Sequence, residues 1–573
     1  MTHRLCKLLV AIALPLFASA PAPAADIAQA SLTVHADAAG PHIDPDVYGQ
    51  FAEHLGEGIY GGLWVGPESK IPNVRGWRKD VVQALRQLEV PVVRWPGGCF
   101  ADDYDWRDGI GDPKKRPARL NRWWGGAETN RVGTHEFMDL AEQLGAEVVI
   151  AGNMASMTPK SMSHWLEYMT GEGRSALTDE RRRNGRDKPW KVKYFGIGNE
   201  SWGCGGNMRP EYQSDLHNQY ATFLPNGPKR VASGDGQAND HLIEILMQRS
   251  MPHMDALTLH YYTLPGGEWA RKGQATGFDT DSWAKTIKSA KDIEKRIAAI
   301  TSIMDKYDAD KRVALYVDEW GTWMDAAPGS KRGALYQQNS LRDAMVAAVS
   351  LNVFHRHTDR VRMTNIAQMV NVLQAMVLTD GPRMLLTPTY HVFDLYKPFK
   401  GATPLKAEVT SPTYRRGEFE MPAVEASVAK TADGRTVIAL VNLDPERPAR
   451  VATGLRSAVQ GRVLTAATMD AHNDFDQPAA IAPAPYRAQP GADGLTLDLP
   501  AKSIVVVTTA MRRHGLVPMW WDTGALFDRR SDGVAGRARA DARDHEPRTR
   551  ARDVSRHQPR QHARGTSRRD LVG

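Results

Sequence analysis

The sequence predicts an α/β protein in which a parallel βα unit is followed by a β-sandwich. Three observations predict it. Apolar strand-like runs alternate with helix-like stretches from Tyr48 to about Leu386. Runs such as Val148–Ala151 and Val313–Val317 are continuously apolar, as strands buried on both faces are. Beyond Leu386 the pattern changes to short β-rich pieces separated by turn signals. With 573 residues, 42% hydrophobic and 24% charged, the chain is long and apolar enough for large cores, which excludes disorder throughout. Its 49 Gly and 35 Pro are near average usage and exclude collagen-like or low-complexity architectures.

The elements follow in order. Residues 1–25 read as a signal peptide: Arg4 and Lys7 precede the apolar run Leu8–Ala20, and small residues follow. The run is too short to span a membrane, so the expected mature protein is exported, soluble and free of the membrane. Residues 26–47 hold one short strand, Ser31–His35, and are expected to join the sandwich. Residues 48–386 form the βα unit, with VVQALRQLEV before PVVRWPGG and THEFMDLAEQLG before AEVVIAGN. Residues 387–511 form the sandwich, where Asp433-Gly434 marks a hairpin turn and Ile504–Thr508 a core strand. Residues 512–573 show no apolar period and are expected to be disordered, through out-of-frame translation past a lost stop or as a basic arm.

The net charge of +7 resides in that tail. Residues 512–573 hold 15 Arg, no Lys and 8 acidic residues, and the leader adds two cations, so residues 26–511 carry 7 − 7 − 2 = −2. A basic nucleic-acid groove is therefore not expected.

Chemistry concentrates at two strand ends. Lys191–Ile197 reads as a strand ending at Gly198, Asn199, Glu200, Ser201 and Trp202; Val313–Val317 ends at Asp318, Glu319, Trp320, Gly321, Thr322 and Trp323. In a βα barrel such ends converge on the face that carries active sites. Two glutamates there can flank a glycosidic bond, one protonating the leaving oxygen and the other attacking the sugar, while tryptophans stack on the ring. Each carboxylate taken alone could instead be an exposed cap or salt-bridge partner.

The strings VVRWPGGCFADDYDWRDGIG, YFGIGNESWGCGGNM, LTLHYYT, LYVDEWGTW and NIAQMVNVL resemble those of glycoside hydrolase family 51 α-L-arabinofuranosidases, in order from about Tyr48 to Asp380. The resemblance implies a (β/α)8 TIM barrel with a C-terminal β-sandwich, retaining double displacement, no metal or organic cofactor, and multimeric assembly. It implies release of terminal arabinofuranosyl residues from arabinan, arabinoxylan or their oligosaccharides. By motif, Glu200 matches the acid/base and Glu319 the nucleophile, with an expected carboxyl separation of about 5–5.5 Å. Asn199 matches a residue holding the 2-hydroxyl, Glu53 an anchor of furanose hydroxyls, Tyr262 an orienter of the nucleophile, and Gln368 and Trp323 residues at the sugar. The same motifs place Cys99 at the substrate pocket. Cys99 and Cys204 follow different strands onto one face; a bridge requires Cα atoms within about 7 Å, and two separate thiols remain the alternative. Gly321 departs from the Asn found in many relatives.

Other readings are an endo-glycanase or other glycosidase on the same barrel, and a non-catalytic carbohydrate-binding protein, against which the retention of both glutamates argues. Gly196-Ile-Gly198 fails as a dinucleotide fingerprint, because Ser201 occupies the third glycine position and no helix start follows. His355 and His357, read on a strand, would share one face as core histidines or a ligand pair.

Overall fold

The computed structural model describes residues 26–510 apart from Gln237 and Arg332. The leader and the Arg-rich tail lie outside the described residues. The first strand, β1 (Ala28–Ala39), is longer than Ser31–His35. The barrel strands follow as β2 (Gly49–Phe51), β3 (Val92–Trp95), β4 (Glu147–Gly152), β5 (Tyr194–Ile197), β6 (Lys229–Asp235), β7 (Ala256–Thr263), β8 (Ala314–Thr322) and β9 (Val361–Ala367). All neighbours are parallel, and β9 pairs with β2, so the eight close into a barrel in chain order. The expected α/β barrel is borne out.

The strand sequences explain the closure. Val92, Val149, Tyr194, Val231, Ala256, Ala314, Tyr316 and Met363 point inward from seven strands and form one buried cluster that fills the barrel. Their outward neighbours meet amphipathic helices. In the helix Thr280–Tyr307, Trp283, Ile287, Ala290, Ile293, Ile297, Ile300 and Met304 recur at helical spacing and are buried, while Asp279 caps the Ser282 N–H at 2.9 Å.

The C-terminal region comprises β10 (Thr403–Thr410), β11 (Val424–Lys430), β12 (Thr436–Asn442), β13 (Ala449–Ala452), β14 (Val459–Leu464), β15 (Ala484–Ala488), β16 (Thr496–Leu499) and β17 (Ser503–Thr509). With β1 they make a nine-stranded sheet in the order β15-β14-β17-β12-β11-β10-β1-β13-β16. Leu32, Val428, Ile438, Leu440, Val451, Leu497, Val505 and Val507, from strands across this order, share one core, so the sheet folds over on itself as a sandwich. The intervening residues Val437, Ala439, Val441, Ile504 and Val506 belong instead to the main core with the barrel helices. The period of two therefore serves both layers. Asp433-Gly434 does turn the β11–β12 hairpin, with Gly434 at φ 81°.

Three local expectations are corrected. The strand expected over Lys191–Ile197 begins only at Tyr194. The strand expected to end at Val317 continues to Thr322, so Asp318 and Glu319 lie inside it. Pairings Thr258↔Tyr316 and His260↔Glu319 show one extra residue in β8, a bulge that the β9 register repeats. His355 and His357 are on no strand: His355 lies in the helix Leu341–Arg356, bonded to Tyr48 and Ser427 at 2.8 Å each, and His357 caps that helix. Burial, then the neighbouring Arg356, pushes the His355 pKa down to about 3, so it is a neutral core histidine.

Candidate active site

The bulge in β8 decides the site. In a regular strand adjacent side chains point to opposite faces, yet Asp318 and Glu319 both face the barrel mouth. Arg94, on β3, is nearly fully buried and reaches both: its Nη1 donates to Glu319 Oε1 at 2.6 Å and its Nε lies 3.3 Å from Asp318 Oδ2. Its Nη2 donates to Asn199 Oδ1 at 2.7 Å, and the guanidinium lies over the Phe51 ring, 4.4 Å from the centroid. Burial opposes the charge on Arg94, but Asp318 and Glu319 hold it protonated.

Glu319 has two further contacts. The Tyr262 hydroxyl donates to Oε2 at 2.9 Å, and His260 Nδ1 lies 3.5 Å from the same oxygen. Burial and the charge of Glu319 push the Tyr262 pKa well above its ordinary value, so the phenol keeps its proton and acts as a donor. Glu200, beyond the end of β5 at φ 39°, is paired with His260 Nδ1 at 2.9 Å through Oε1. One oxygen of Glu200, one of Glu319 and a His260 nitrogen all lie within 4.8 Å of one another.

Glu53, just past β2, is almost fully buried and surrounded by donors. Its Oε1 accepts from Gly98 N at 3.0 Å, Phe100 N at 3.3 Å and Trp124 Nε1 at 2.9 Å; its Oε2 accepts from Gln368 Nε2 at 3.1 Å. Burial, then the charge of Glu319, raises its pKa from 4.5 to about 7. The Gly97-Gly98 pair is required here: a Cβ on Gly97 would lie 2.7 Å from Glu53 Cγ, and one on Gly98 2.9 Å from Glu319 Oε1.

Cys99 and Cys204 form a disulfide with Cα atoms 5.6 Å apart. The bridge ties the loop after β3 to the loop after β5. Glu200 Oε2 packs against it, 3.5 Å from Cys204 Sγ and 3.9 Å from Cys99 Sγ. Neither bonded sulfur can donate a hydrogen bond, so these are packing contacts, and Cys99 offers the pocket no thiol.

A cavity of about 230 Å³ opens between these groups. Glu53, Cys99, Glu200, Tyr262, Glu319, Trp323 and Gln368, all expected at the site, line it; Asn199, also expected there, does not, and lies behind the wall, bonded to the Arg94 that holds Glu319. Trp320 faces away and is buried, its Nε1 bonded to Thr364 at 3.0 Å. Sequence reasoning missed Arg94, Trp124, His260 and Trp269, and named Trp202 and Asp318 at the strand ends without giving either a specific role. Arg94 carried a readable signal, a lone cation inside the apolar strand VVRW. His260 carried another, since it lies two residues before Tyr262 and shares its face.

A closed βα barrel with two juxtaposed carboxylates, an arginine and a tyrosine on one of them, and tryptophans at the mouth defines a barrel glycoside hydrolase. Comparison with known proteins narrows the class. Residues 84–271 match the α-L-arabinofuranosidase 1 domain and residues 318–503 the α-L-arabinofuranosidase C-terminal domain. An intracellular exo-α-L-arabinofuranosidase of Bacteroides ovatus is 48% identical over 491 residues, 83% of this chain and 95% of the relative. The crystal structure of the GH51 arabinofuranosidase from Xanthomonas axonopodis pv. citri superimposes with a TM-score of 0.82 at 49% identity, covering 84% of this chain and 100% of that one. An arabinose complex of the Thermotoga maritima α-L-arabinofuranosidase gives 0.74 at 28%, covering 84% and 99%.

The chain belongs to the glycoside hydrolase family 51 α-L-arabinofuranosidases. It is an α-L-arabinofuranosidase. The expectation of export is corrected by the same comparison, because the Bacteroides ovatus relative is named an intracellular enzyme. Among the described residues no helix is long and apolar enough to cross a membrane.

Proposed function

We propose that this enzyme releases terminal, non-reducing α-L-arabinofuranosyl residues from arabinan, arabinoxylan or their oligosaccharides, with Glu200 as acid/base and Glu319 as nucleophile. The observation that carries the retaining reading is the approach of a Glu200 oxygen to within 4.8 Å of a Glu319 oxygen. That spacing matches a retaining pair, whereas inversion needs roughly 6.5 Å or more to seat a water between the groups.

In the first step a Glu319 oxygen attacks the anomeric carbon as the glycosidic bond breaks, and the Glu200 proton passes to the leaving oxygen. Arg94 and Tyr262 hold the attacking carboxylate in one rotamer. In the second step Glu200 takes a proton from water as that water displaces Glu319. Asn199, its Oδ1 bonded to Arg94 and its Nδ2 3.7 Å from Cys204 Sγ, is the residue assigned to the sugar's 2-hydroxyl. Glu53 and Gln368 anchor the other hydroxyls across the mouth, the Trp124 indole walls off that side, and Cys99 and Trp323 complete the pocket. This closed side fits a terminal sugar better than the interior of a chain.

The test is Glu319→Ala on an aryl α-L-arabinofuranoside. Turnover should fall at least about a thousandfold, on the order of 4 kcal/mol in the barrier. A loss under tenfold in folded protein overturns the assignment. Multimeric assembly is the remaining part of the reading, and light scattering of purified protein tests it.

A further inference from the structure

His260 is buried at the centre of a group of acids that the two-step mechanism does not itself explain. Its Nδ1 lies 2.9 Å from Glu200 Oε1 and 3.5 Å from Glu319 Oε2, and its Nε2 forms a 3.1 Å ion pair with Asp318 Oδ1. Arg94 binds Asp318 and Glu319 from the opposite side, and Tyr262 binds Glu319 from the same strand as His260. Both ring nitrogens therefore face acids, and the ring is an imidazolium: burial disfavours the charge, but Glu319 and Asp318 push its pKa well above the ordinary value.

We propose that His260 is a positioning residue whose fixed positive charge serves the two catalytic carboxylates in turn. The inference rests on the roles given above to Glu200 and Glu319. Before reaction Glu319 is ionised and Glu200 protonated; with Oε1 accepting from Nδ1–H, the acidic proton is left on Oε2. When the glycosyl-enzyme forms, the Glu319–carbon bond replaces the glycosidic bond, and the Glu200 proton leaves with the departing oxygen. Glu319 becomes a neutral ester and Glu200 an anion. The sum over Glu200, Glu319, Asp318, His260 and Arg94 is zero before and after. What moves is one negative charge, from one neighbour of Nδ1 to the other, and the Nδ1–H bond passes wholly to Glu200. Hydrolysis reverses the transfer, and His260 keeps its proton throughout, anchored by Asp318.

A neutral residue here removes a cation that favours the ionised form of both glutamates. Replacing His260 by Gln or Asn should therefore move both limbs of the kcat/KM pH profile to higher pH by about one unit or more. The other charges that face this ring, on Asp318 and Arg94, remain in the variants, with Glu53 and Tyr262 beyond Glu319. A second readout separates the steps. With an aryl arabinofuranoside whose leaving group departs as the phenolate, the first step no longer needs the Glu200 proton, while the second still needs Glu200 ionised. The variants should then release a burst of about one aryl alcohol per enzyme before a slow steady state, and the burst should shrink as pH rises.

Folded variants that keep the wild-type limbs and slow both steps alike overturn the inference and leave a packing role. Glu319→Ala, assayed in parallel, keeps that failure distinct from failure of the nucleophile assignment. If neither variant folds, the wild type suffices: a downfield Nδ1–H proton resonance should shift when a mechanism-based arabinofuranosyl inactivator esterifies Glu319. An unchanged resonance with Glu319 labelled would also overturn it.

Discussion

Glu200 and Glu319 are distinguished by their neighbours. Glu319 is gripped by Arg94 and Tyr262, as a group that must stay ionised and fixed would be, while Glu200 has the smooth flank of a disulfide beside its second oxygen. Glu200→Ala should therefore lose most turnover of glycosides with poor leaving groups and much less with good ones. Added azide should restore its turnover and give an arabinofuranosyl azide of retained configuration, seen by NMR. An azide of inverted configuration would exchange the two roles.

Glu53 makes a pH prediction. Its folded pKa of about 7 lies above the unfolded value of 4.5, so the folded state binds this proton more tightly. Stability from this group is fully present below about pH 4.5 and is lost as pH rises to about 7, on the order of 3 kcal/mol in all. Glu53→Gln should flatten that part of the stability–pH curve in urea titrations, and an unchanged slope would show that Glu53 ionises freely.

At this scale the sequence was readable where a motif carried the chemistry. GNESW and DEWGTW announce their glutamates, but Asp318 read as outside the strand because a bulge leaves no mark in composition. His260 and Arg94 read as parts of strands, since what makes them functional is contact with residues more than 50 positions away. Trp124 and Trp269 lie in loops, whose paths hydrophobic periodicity does not predict.

The elements add two expectations. The Cys99–Cys204 bridge closes a loop with a sequence separation of 105, for which the chain-entropy account gives about 4–5 kcal/mol. Cys204→Ser, or reduction, should lower the denaturation midpoint and also kcat, because Glu200 packs against the sulfurs. A midpoint that does not respond would mean that packing alone holds these loops.

Strand β1 lies between β10, antiparallel, and β13, parallel, inside the sheet rather than at its edge. A chain beginning at residue 41 should expose two unpaired strand edges and lose soluble yield relative to one beginning at residue 26. Equal yield and equal melting temperature would show that the sheet closes without it. The sequence predicted this strand too short because its polar residues, His35 and Asp37, interrupt the apolar run, while pairing with two neighbours extends it.

Across the whole molecule the alternation of strands and helices was legible because parallel barrel strands are buried on both faces and read as apolar runs. The sharing of sandwich residues between two cores was not, since Ile438 and Val437 look alike in sequence and differ only in which layer they meet. The near-neutral charge of residues 26–511 suits an uncharged glycan. The central claim is that this barrel cleaves arabinofuranosides through Glu319. Its most direct test is the initial rate of chain 26–511 on aryl α-L-arabinofuranoside, β-glucoside and β-xyloside, with Glu319→Ala alongside. The account predicts turnover of the arabinofuranoside alone, abolished in the variant; cleavage of a pyranoside instead, or turnover that survives Glu319→Ala, would contradict it.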